Sequence, residues 1–166
     1  MNRRLFLAAI PVALTAGCGF QLRRLDGIPL SSLYLAESGG SAVAQRIRNT
    51  LISNKHTRLT ASPELAEATL TMGPEAHSKT ILSLSGAGRV TEYRLGLQLT
   101  YSIISRDGRI LAEPETIDLS RDLTYDDSQL LAKGAEEQLL YRDMEERAAQ
   151  RILRRLQNLK PGNGAS

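Results

Sequence analysis

The stretch from Glu92 to Ile103 constrains the fold most, because polar and apolar residues alternate along it without interruption. Successive side chains of a strand point to opposite faces, so this alternation gives one strand an apolar and a polar face. The apolar residues run from Tyr93 to Ile103, and at ~3.3 Å per residue this stretch spans about 36 Å, which is long for a strand. These apolar residues are Tyr93, Leu95, Leu97, Leu99, Tyr101 and Ile103. The opposite face, with Glu92, Arg94, Gln98 and Thr100, must meet water or a partner.

Two turn signals flank this strand and predict an antiparallel meander. Residues 85–88 (Ser-Gly-Ala-Gly) are expected to form a hairpin tip, and residues 106–109 carry the Asp-Gly pair typical of hairpin turns. Between residues 68 and 84 apolar residues favour even-numbered positions, and Pro74 suggests a bulge or an edge position there. A return strand is predicted around residues 110–123.

Two helices are predicted from apolar residues spaced three and four apart. The first, about 13 residues long, follows Ser41, whose hydroxyl is suited to cap it. The second is long and begins after Asp126 or Asp127, either of which can cap it. Gly134 lies inside this helix and is expected to mark a kink or a close contact, because glycine in a helix costs about 1 kcal/mol relative to alanine.

These elements predict an α+β fold built as a two-layer sandwich. Both helices pack on one face of a mainly antiparallel or mixed sheet of four strands, the first strand being the apolar run at residues 33–35. One domain is expected over residues 31–160, followed by a short polar tail at residues 161–166. With no Trp and two Phe in the chain, the core is expected to consist of Leu, Ile, Val and Ala.

The only cysteine, Cys18, ends a stretch typical of a bacterial export signal: two arginines, about ten mostly apolar residues and then small residues. The apolar run is shorter than the roughly 20 residues that a membrane-spanning helix needs. The segment resembles the lipobox of bacterial lipoproteins, with Thr15 where leucine is usual. We therefore predict a signal peptide at residues 1–17, acylation of Cys18 and a tether at residues 18–30. The alternative is an ordinary secreted protein, cut near Ala16 and left with a free thiol.

The residue that follows the cysteine indicates to which membrane the acylated chain is sorted. Gly19 stands where an aspartate would favour retention in the inner membrane, so by resemblance to the Gram-negative sorting pattern the acylated chain is expected at the outer membrane. Stable anchoring takes two or more acyl chains, and the modified cysteine of a lipoprotein usually carries three.

Composition excludes several classes of function. Removing residues 1–17 takes away two of the 21 basic residues and none of the 18 acidic ones, which leaves 19 against 18. Net basicity therefore gives no reason to expect a nucleic-acid partner. No nucleophile–base pair is visible, and we predict no catalytic residues. His56 and His77 lie in different segments without metal-ligand spacing, so no metal or cofactor site is predicted.

The remaining candidates are basic residues near the predicted loops. Lys79, Arg89 and Arg94 flank the Gly-rich hairpin, and Lys133 lies in the first turns of the long helix. The N-terminus of a helix is itself positive, so Lys133 and the helix would jointly favour an anionic ligand.

Several segments in order resemble the LptE family of lipopolysaccharide-assembly lipoproteins. The acylated start reads Cys-Gly-Phe-Gln-Leu-Arg from Cys18, and residues 91–93 (Thr-Glu-Tyr) resemble the family's mid-strand segment. The strongest match runs from residue 120 through 131–133 (Leu-Ala-Lys) to residues 152–156 (Ile-Leu-Arg-Arg-Leu). The resemblance covers nearly the whole mature chain.

The resemblance implies a non-enzymatic protein at the periplasmic side of the outer membrane. LptE-like proteins sit as a plug inside the β-barrel protein LptD, help that barrel to fold, bind lipopolysaccharide and help deliver it to the outer leaflet. Lys133 falls on the family's lysine position implicated in lipopolysaccharide binding, and Arg89 lies near a second basic position in the hairpin. The alternative function is that of a free-standing periplasmic-facing lipoprotein that binds amphiphiles or peptidoglycan.

Overall fold

The computed structural model describes residues 27–159, which form six strands and two helices. In chain order these elements are β1 (Ser32–Glu37), α1 (Ala42–Asn54), β2 (Arg58–Leu59), β3 (Ala68–Met72), β4 (Ala76–Leu84), β5 (Val90–Ser105), β6 (Ile110–Thr124) and α2 (Leu130–Gln157). Single 3₁₀ turns lie at Pro63–Leu65 and Asp127–Gln129. The predicted α+β class with two helices and a mixed sheet is confirmed.

All six strands belong to one sheet, and β5 is its organising strand. β1 runs parallel to both β2 and β3, whereas β3, β4 and β6 each run antiparallel to β5. β6 follows one edge of β5 along nearly its whole length, so β3 and β4 share the other edge and lie end to end on it. The long alternating strand of the sequence therefore joins a core region around β1 and β3 to an extension made by β4 and β6.

The predicted number of four strands was wrong, because one expected strand is divided and a very short one was missed. The segment from residue 68 to 84 breaks at residues 73–75, where Pro74 has no N–H to donate. Gly73 still donates its N–H to the Thr100 carbonyl oxygen at 2.8 Å. β2 has only two residues, too few for any periodic pattern.

The break also reverses which positions face the helices. In β3 the even-numbered Leu70 and Met72 lie opposite Ile103 and Tyr101, on the buried face. In β4 the odd-numbered His77 lies opposite Leu97 on that same face, so the pairing has slipped by one residue. A slip of one residue sends every following side chain to the other face. The single even-numbered apolar series predicted from residue 68 to 84 was therefore wrong beyond Met72.

The two helices cover one face of the sheet and close a single core of aliphatic side chains. α1 contributes Val43, Ala44, Ile47 and Leu51, and the Ser41 hydroxyl accepts the Ala44 N–H at 3.1 Å as the predicted cap. Ile28 and Leu159, near the two ends of the described chain, also pack into this core. Neither helix combines the length and apolar character that a membrane crossing requires.

The long helix differs in detail from its prediction. Asp126 caps the preceding 3₁₀ turn, where its side chain accepts from Ser128 N at 2.9 Å, and α2 itself begins at Leu130 after Gln129. Apart from the adjacent helix backbone, no atom of residues 27–159 lies within 4 Å of the point where Gly134 would carry a Cβ, so the predicted close contact is absent there. The fully buried side chains of α2 begin only at Met144. Its first half thus extends beyond the main core.

Tyr101 gives the fold a specific sensitivity to alkaline pH. Burial, together with the hydrogen bond from its hydroxyl to Glu115 Oε2 at 2.8 Å, raises the pKa of Tyr101 to about 12. An unfolded chain ionises tyrosine at about pH 10, so between pH 10 and 12 it binds fewer protons than the folded chain. The contribution of Tyr101 to stability is therefore complete below pH 10 and is lost as the pH rises towards 12.

We expect the urea midpoint of the wild-type protein to fall more steeply between pH 9 and 11.5 than that of Tyr101→Phe. At pH 8 the variant should be slightly less stable, because it lacks a hydrogen bond worth about 1 kcal/mol. Unfolding followed by circular dichroism at each pH measures both effects. Parallel pH profiles for the two proteins would contradict the prediction.

Candidate functional site

The β4–β5 hairpin and the segment that leads into the long helix lie at the same end of the sheet, which we call the hairpin end (residues 84–91 and 124–133). Thr124 pairs with Glu92, and Tyr125 N–H donates to the Thr91 carbonyl oxygen at 2.8 Å. The connection to α2 therefore begins beside the β4–β5 hairpin. Both basic residues expected to bind an anion, Arg89 and Lys133, lie at this end.

Arg89 is held by its backbone and leaves its side chain exposed. The Arg89 N–H donates to Ser85 Oγ at 3.2 Å, and its carbonyl oxygen accepts the Ser85 N–H at 2.7 Å. Gly88, with φ +76°, supplies the left-handed residue that this tight tip needs. Within residues 27–159 the guanidinium makes no hydrogen bond or ion pair. Its charge is therefore available to a ligand.

Lys133 is in a different situation, because its charge is already shared with carboxylates. Its Nζ lies 2.8 Å from Glu136 Oε2, and only 17% of its side chain is exposed. The pKa of Asp126 is lowered, mainly by its hydrogen bonds from Ser128 and in smaller part by the charge of Lys133. An anionic ligand at Lys133 would have to compete with Glu136.

The other two basic residues near the hairpin lie on opposite faces of the sheet. Arg94 points away from the helices. Its Nε donates to Asp122 Oδ1 at 2.9 Å, and its Nη2 donates to Asp122 Oδ2 at 3.2 Å. This pairing lowers the pKa of Asp122. Lys79 lies on the helix side, 2.6 Å from Glu137 Oε2. The two cations therefore do not form one basic patch with Arg89.

Lys79 belongs to an aromatic cluster that reasoning from the sequence missed. Its Nζ lies 4.3 Å from the centroid of the Tyr93 ring and 5.8 Å from that of Tyr125, and these two rings meet edge to face at 5.0 Å. The hydrogen bond to Glu137 raises the pKa of Lys79. Tyr141 adds a hydrogen bond from its hydroxyl to the Ser78 carbonyl oxygen at 2.8 Å. Together these contacts attach the first half of α2 to β4 and β5.

The sheet face opposite the helices carries a series of polar side chains, and we call it the outer face. Thr100 and Thr116 share a hydrogen bond across it at 2.9 Å, and Arg94 pairs with Asp122. The strand registers put hydroxyl, amide and charged side chains on it: Thr69, Thr71, Ser78, Thr80, Arg94, Gln98, Thr100, Ser102, Thr116, Asp118, Ser120 and Asp122. The polar face predicted from the alternation of β5 is therefore present and is not covered by either helix.

Apolar side chains are exposed on β4 and on the first half of α2. Ile81 and Leu84 lie on β4, and Leu131 on α2 is 91% exposed. Leu130 and Leu139 are also exposed. These side chains project into solvent, so they are free to meet a partner or a lipid.

The predicted lipid-attachment site, Cys18, lies outside the described residues 27–159. The predicted signal peptide, most of the predicted tether and the predicted tail at residues 161–166 also lie outside them.

Comparison with known proteins gives consistent matches. A family model described as LptE, lipopolysaccharide-assembly, matches residues 30–156. The chain is 29% identical to the LPS-assembly lipoprotein LptE of Photorhabdus laumondii over 153 residues, which cover 90% of this chain and 82% of that protein. It is 26% identical to the protein of the same name from Pectobacterium atrosepticum over 161 residues, covering 94% and 86%.

Solved structures of two lipoproteins share the fold. The solution structure of lipoprotein B from Nitrosomonas europaea matches with a TM-score of 0.67 and 33% identity, over 82% of this chain and 88% of that one. The crystal structure of rare lipoprotein B from Shewanella oneidensis matches with a TM-score of 0.63 and 28% identity, over 74% and 91%. Both similarities extend over most of the described residues.

Proposed function

The chain belongs to the LptE family of lipopolysaccharide-assembly lipoproteins, and from this premise we propose that it is the plug and assembly factor of an outer-membrane lipopolysaccharide translocon. Its partner is an LptD-like β-barrel, and its ligand is lipopolysaccharide. The family is non-enzymatic, so the chain is not an enzyme. The observation that carries the plug role is the uncovered outer face of the sheet.

The outer face suits the inside of a large barrel. The lumen of an outer-membrane barrel is polar, so a domain inside it must present hydrogen-bonding groups rather than an apolar surface. Thr100, Gln98 and Thr116 offer such groups along neighbouring strands, and Arg94 and Asp122 balance each other's charge as an ion pair. Hydroxyl and amide groups can hydrogen-bond to many lumen residues at a smaller desolvation cost than unpaired charges would carry.

The hairpin end suits a phosphorylated ligand. Lipopolysaccharide carries phosphates on its lipid A and core, and charge-assisted hydrogen bonds to phosphate oxygens are among the stronger polar contacts. Arg89 supplies a free guanidinium, and Lys133 supplies an ammonium near the positive N-terminus of α2. The nearby exposed Leu131 offers a contact for acyl chains.

The proposal includes the anchor. Residues 1–17 direct export, acylated Cys18 holds the chain on the periplasmic side of the outer membrane, and residues 18–30 lead to an LptE-like domain over residues 31–160. The domain itself lies inside the barrel lumen.

Purification from native membranes tests the plug role. The full chain, carrying a small C-terminal epitope tag, is extracted in mild detergent and captured by the tag. We expect an outer-membrane barrel protein to accompany it in a one-to-one ratio. Capture of the chain without a stoichiometric barrel would contradict the proposal.

The exposed apolar side chains favour one other candidate function. A free-standing lipoprotein that binds amphiphiles or peptidoglycan could use Ile81, Leu84 and Leu131 to contact a ligand directly. It would be a monomer that works without a barrel, so the same purification separates the two candidates.

Lys133→Asp is expected to weaken lipopolysaccharide binding about 10-fold and to leave capture of the barrel mostly intact. The change removes one charge-assisted contact, and a contact of about 1.4 kcal/mol corresponds to a factor of ten. Folding should suffer little, because the favourable effect of an acidic residue in the first turns of a helix opposes the repulsion between the introduced aspartate and Glu136. Binding of the purified protein to immobilised lipopolysaccharide measures the effect.

The matched control is Arg142→Asp, which makes the same change of charge further along α2. Arg142 is exposed and donates only a weak hydrogen bond to the Gln138 carbonyl oxygen at 3.4 Å. Its variant should bind lipopolysaccharide as the wild type does. Equal binding by Lys133→Asp and the wild type would remove Lys133 from the site.

A further inference from the structure

Three potential metal ligands converge where β4 begins beneath the second half of α2. Glu75 and His77 lie on either side of the first residue of β4, and Glu145 lies on α2. His77 Nε2 is 3.1 Å from Glu75 Oε1 and 4.0 Å from Glu145 Oε1, and one ligand atom from each residue lies within 4.8 Å of the others. One imidazole nitrogen and two carboxylate oxygens therefore face a common point.

The two carboxylates are largely removed from solvent, whereas the imidazole is not. The side chains of Glu75 and Glu145 are 7% and 11% exposed, and that of His77 is 41% exposed. Burying two carboxylates so close together is costly unless a cation lies between them. The exposed imidazole leaves one side of the group open to solvent.

Each carboxylate is held in place by its other oxygen. Glu75 Oε2 accepts from Ser41 Oγ at 2.6 Å and from Val43 N at 3.1 Å, at the N-terminus of α1. Glu145 Oε2 accepts from Arg46 Nη2 at 2.9 Å. Donors of this kind orient the ligands of metal sites and leave the second oxygen free to bind.

We propose that Glu75, His77 and Glu145 form a binding site for a divalent transition-metal ion such as Zn²⁺. Zinc is bound by histidine nitrogen and carboxylate oxygen at about 2.0–2.2 Å, and a tetrahedral arrangement at such bond lengths separates its ligand atoms by roughly 3.3 Å. Two of the three separations, 3.1 and 4.0 Å, are close to this value, and the third is no more than 4.8 Å, so the side chains must move closer together to bind the ion. Three protein ligands leave the fourth position to water on the open side of His77.

The charges near the site also favour a divalent cation. Arg46 is shared by Glu145 and by Glu146, whose Oε2 lies 3.4 Å from Arg46 Nη1. Glu75, Glu145 and Glu146 carry three negative charges against the one positive charge of Arg46. With a neutral imidazole the group carries two excess negative charges, which one divalent ion balances.

A bound ion would join three elements that the sequence keeps far apart. Its ligands come from the start of β4 and from α2, and the residues that orient them come from α1 and from the residue before it. The ion would therefore fix the position of α2 on the sheet, close to the point where its buried half begins.

The full chain, purified in detergent without a histidine tag and stripped with a chelator, is titrated with ZnCl₂ in a calorimeter. We expect saturable binding of one Zn²⁺ per chain and a rise of several degrees in the melting temperature at saturation. His77→Asn should weaken binding at least 10-fold. Glu75→Gln should do the same, and it keeps an oxygen that can accept from Ser41 and Val43.

The control is His56→Asn, which removes the chain's other histidine and should bind Zn²⁺ as the wild type does. Melting curves of the metal-free variants identify any variant that has failed to fold. Absence of saturable binding by the wild type would mean that these residues form an ion pair of His77 with Glu75 and nothing more. Equal affinity of wild type, His77→Asn and Glu75→Gln would also overturn the proposal.

Discussion

Replacing Leu70 with alanine is expected to lower the free energy of unfolding by about 2–5 kcal/mol, because it leaves a cavity in the middle of the core. Leu70 is completely buried on β3, and the two residues beside it in the sheet, Leu35 on β1 and Ile103 on β5, are also buried. Backbone pairing on both sides limits how far the structure can collapse into the space. A loss of this size is a large part of the free energy of unfolding of a typical domain, which is about 5–15 kcal/mol.

The adjacent residue supplies the control. Thr71 lies on the outer face and is exposed, so Thr71→Ala should change the free energy of unfolding by no more than about 0.5 kcal/mol. Urea-induced unfolding followed by circular dichroism gives both values. Similar losses for the two variants would show that burial at residue 70 does not govern the stability of β3.

Placing an arginine at residue 100 is expected to reduce capture of the barrel partner at least 10-fold, while the melting temperature of the isolated chain changes little. Thr100 is exposed in the middle of the outer face and hydrogen-bonds only across to Thr116 through its hydroxyl. An arginine there is tolerated in water. Against a barrel wall the longer, charged side chain must be desolvated and holds the two surfaces apart, and we expect this to cost well over the 1.4 kcal/mol that a factor of ten represents, even with Asp118 as a diagonal neighbour.

Gln45→Arg is the matched variant, because Gln45 is exposed on α1, on the other side of the molecule. It should accompany the barrel at the wild-type ratio in the same capture from native membranes. If both variants lose the barrel, or if neither does, the outer face is not the specific contact surface.

The predictable parts of this fold are those that repeat along the chain. The alternation around Leu97 and the spacing of Val43, Ile47 and Leu51 are local patterns, and each produced the element expected from it. Ser41 was predictable as a cap for the same reason, since its partner lies three residues away. Such signals need no knowledge of the tertiary structure.

The parts that were missed depend on pairing between distant segments. The register slips by one residue between β3 and β4, and this decides on which face of the sheet Lys79 lies. The slip can be recognised only from the pairing of both strands with β5. Similarly, His77 and Glu145, which we propose as metal ligands, are 68 positions apart in the sequence, so no ligand spacing links them. The missed residues are therefore those brought together by strand register and helix packing.

The long helix has two halves that obey different energetics. From Met144 onward it is held by fully buried apolar side chains, whereas before that residue the partly buried Leu140 and Tyr141 pack on the core beside polar contacts such as Lys79–Glu137 and Arg121–Asp143. Half-exposed ion pairs weaken with salt, and local opening costs less where apolar burial is small. We therefore expect the first half to open locally more readily than the second, above all at high salt, and such an opening would move Lys133 with it.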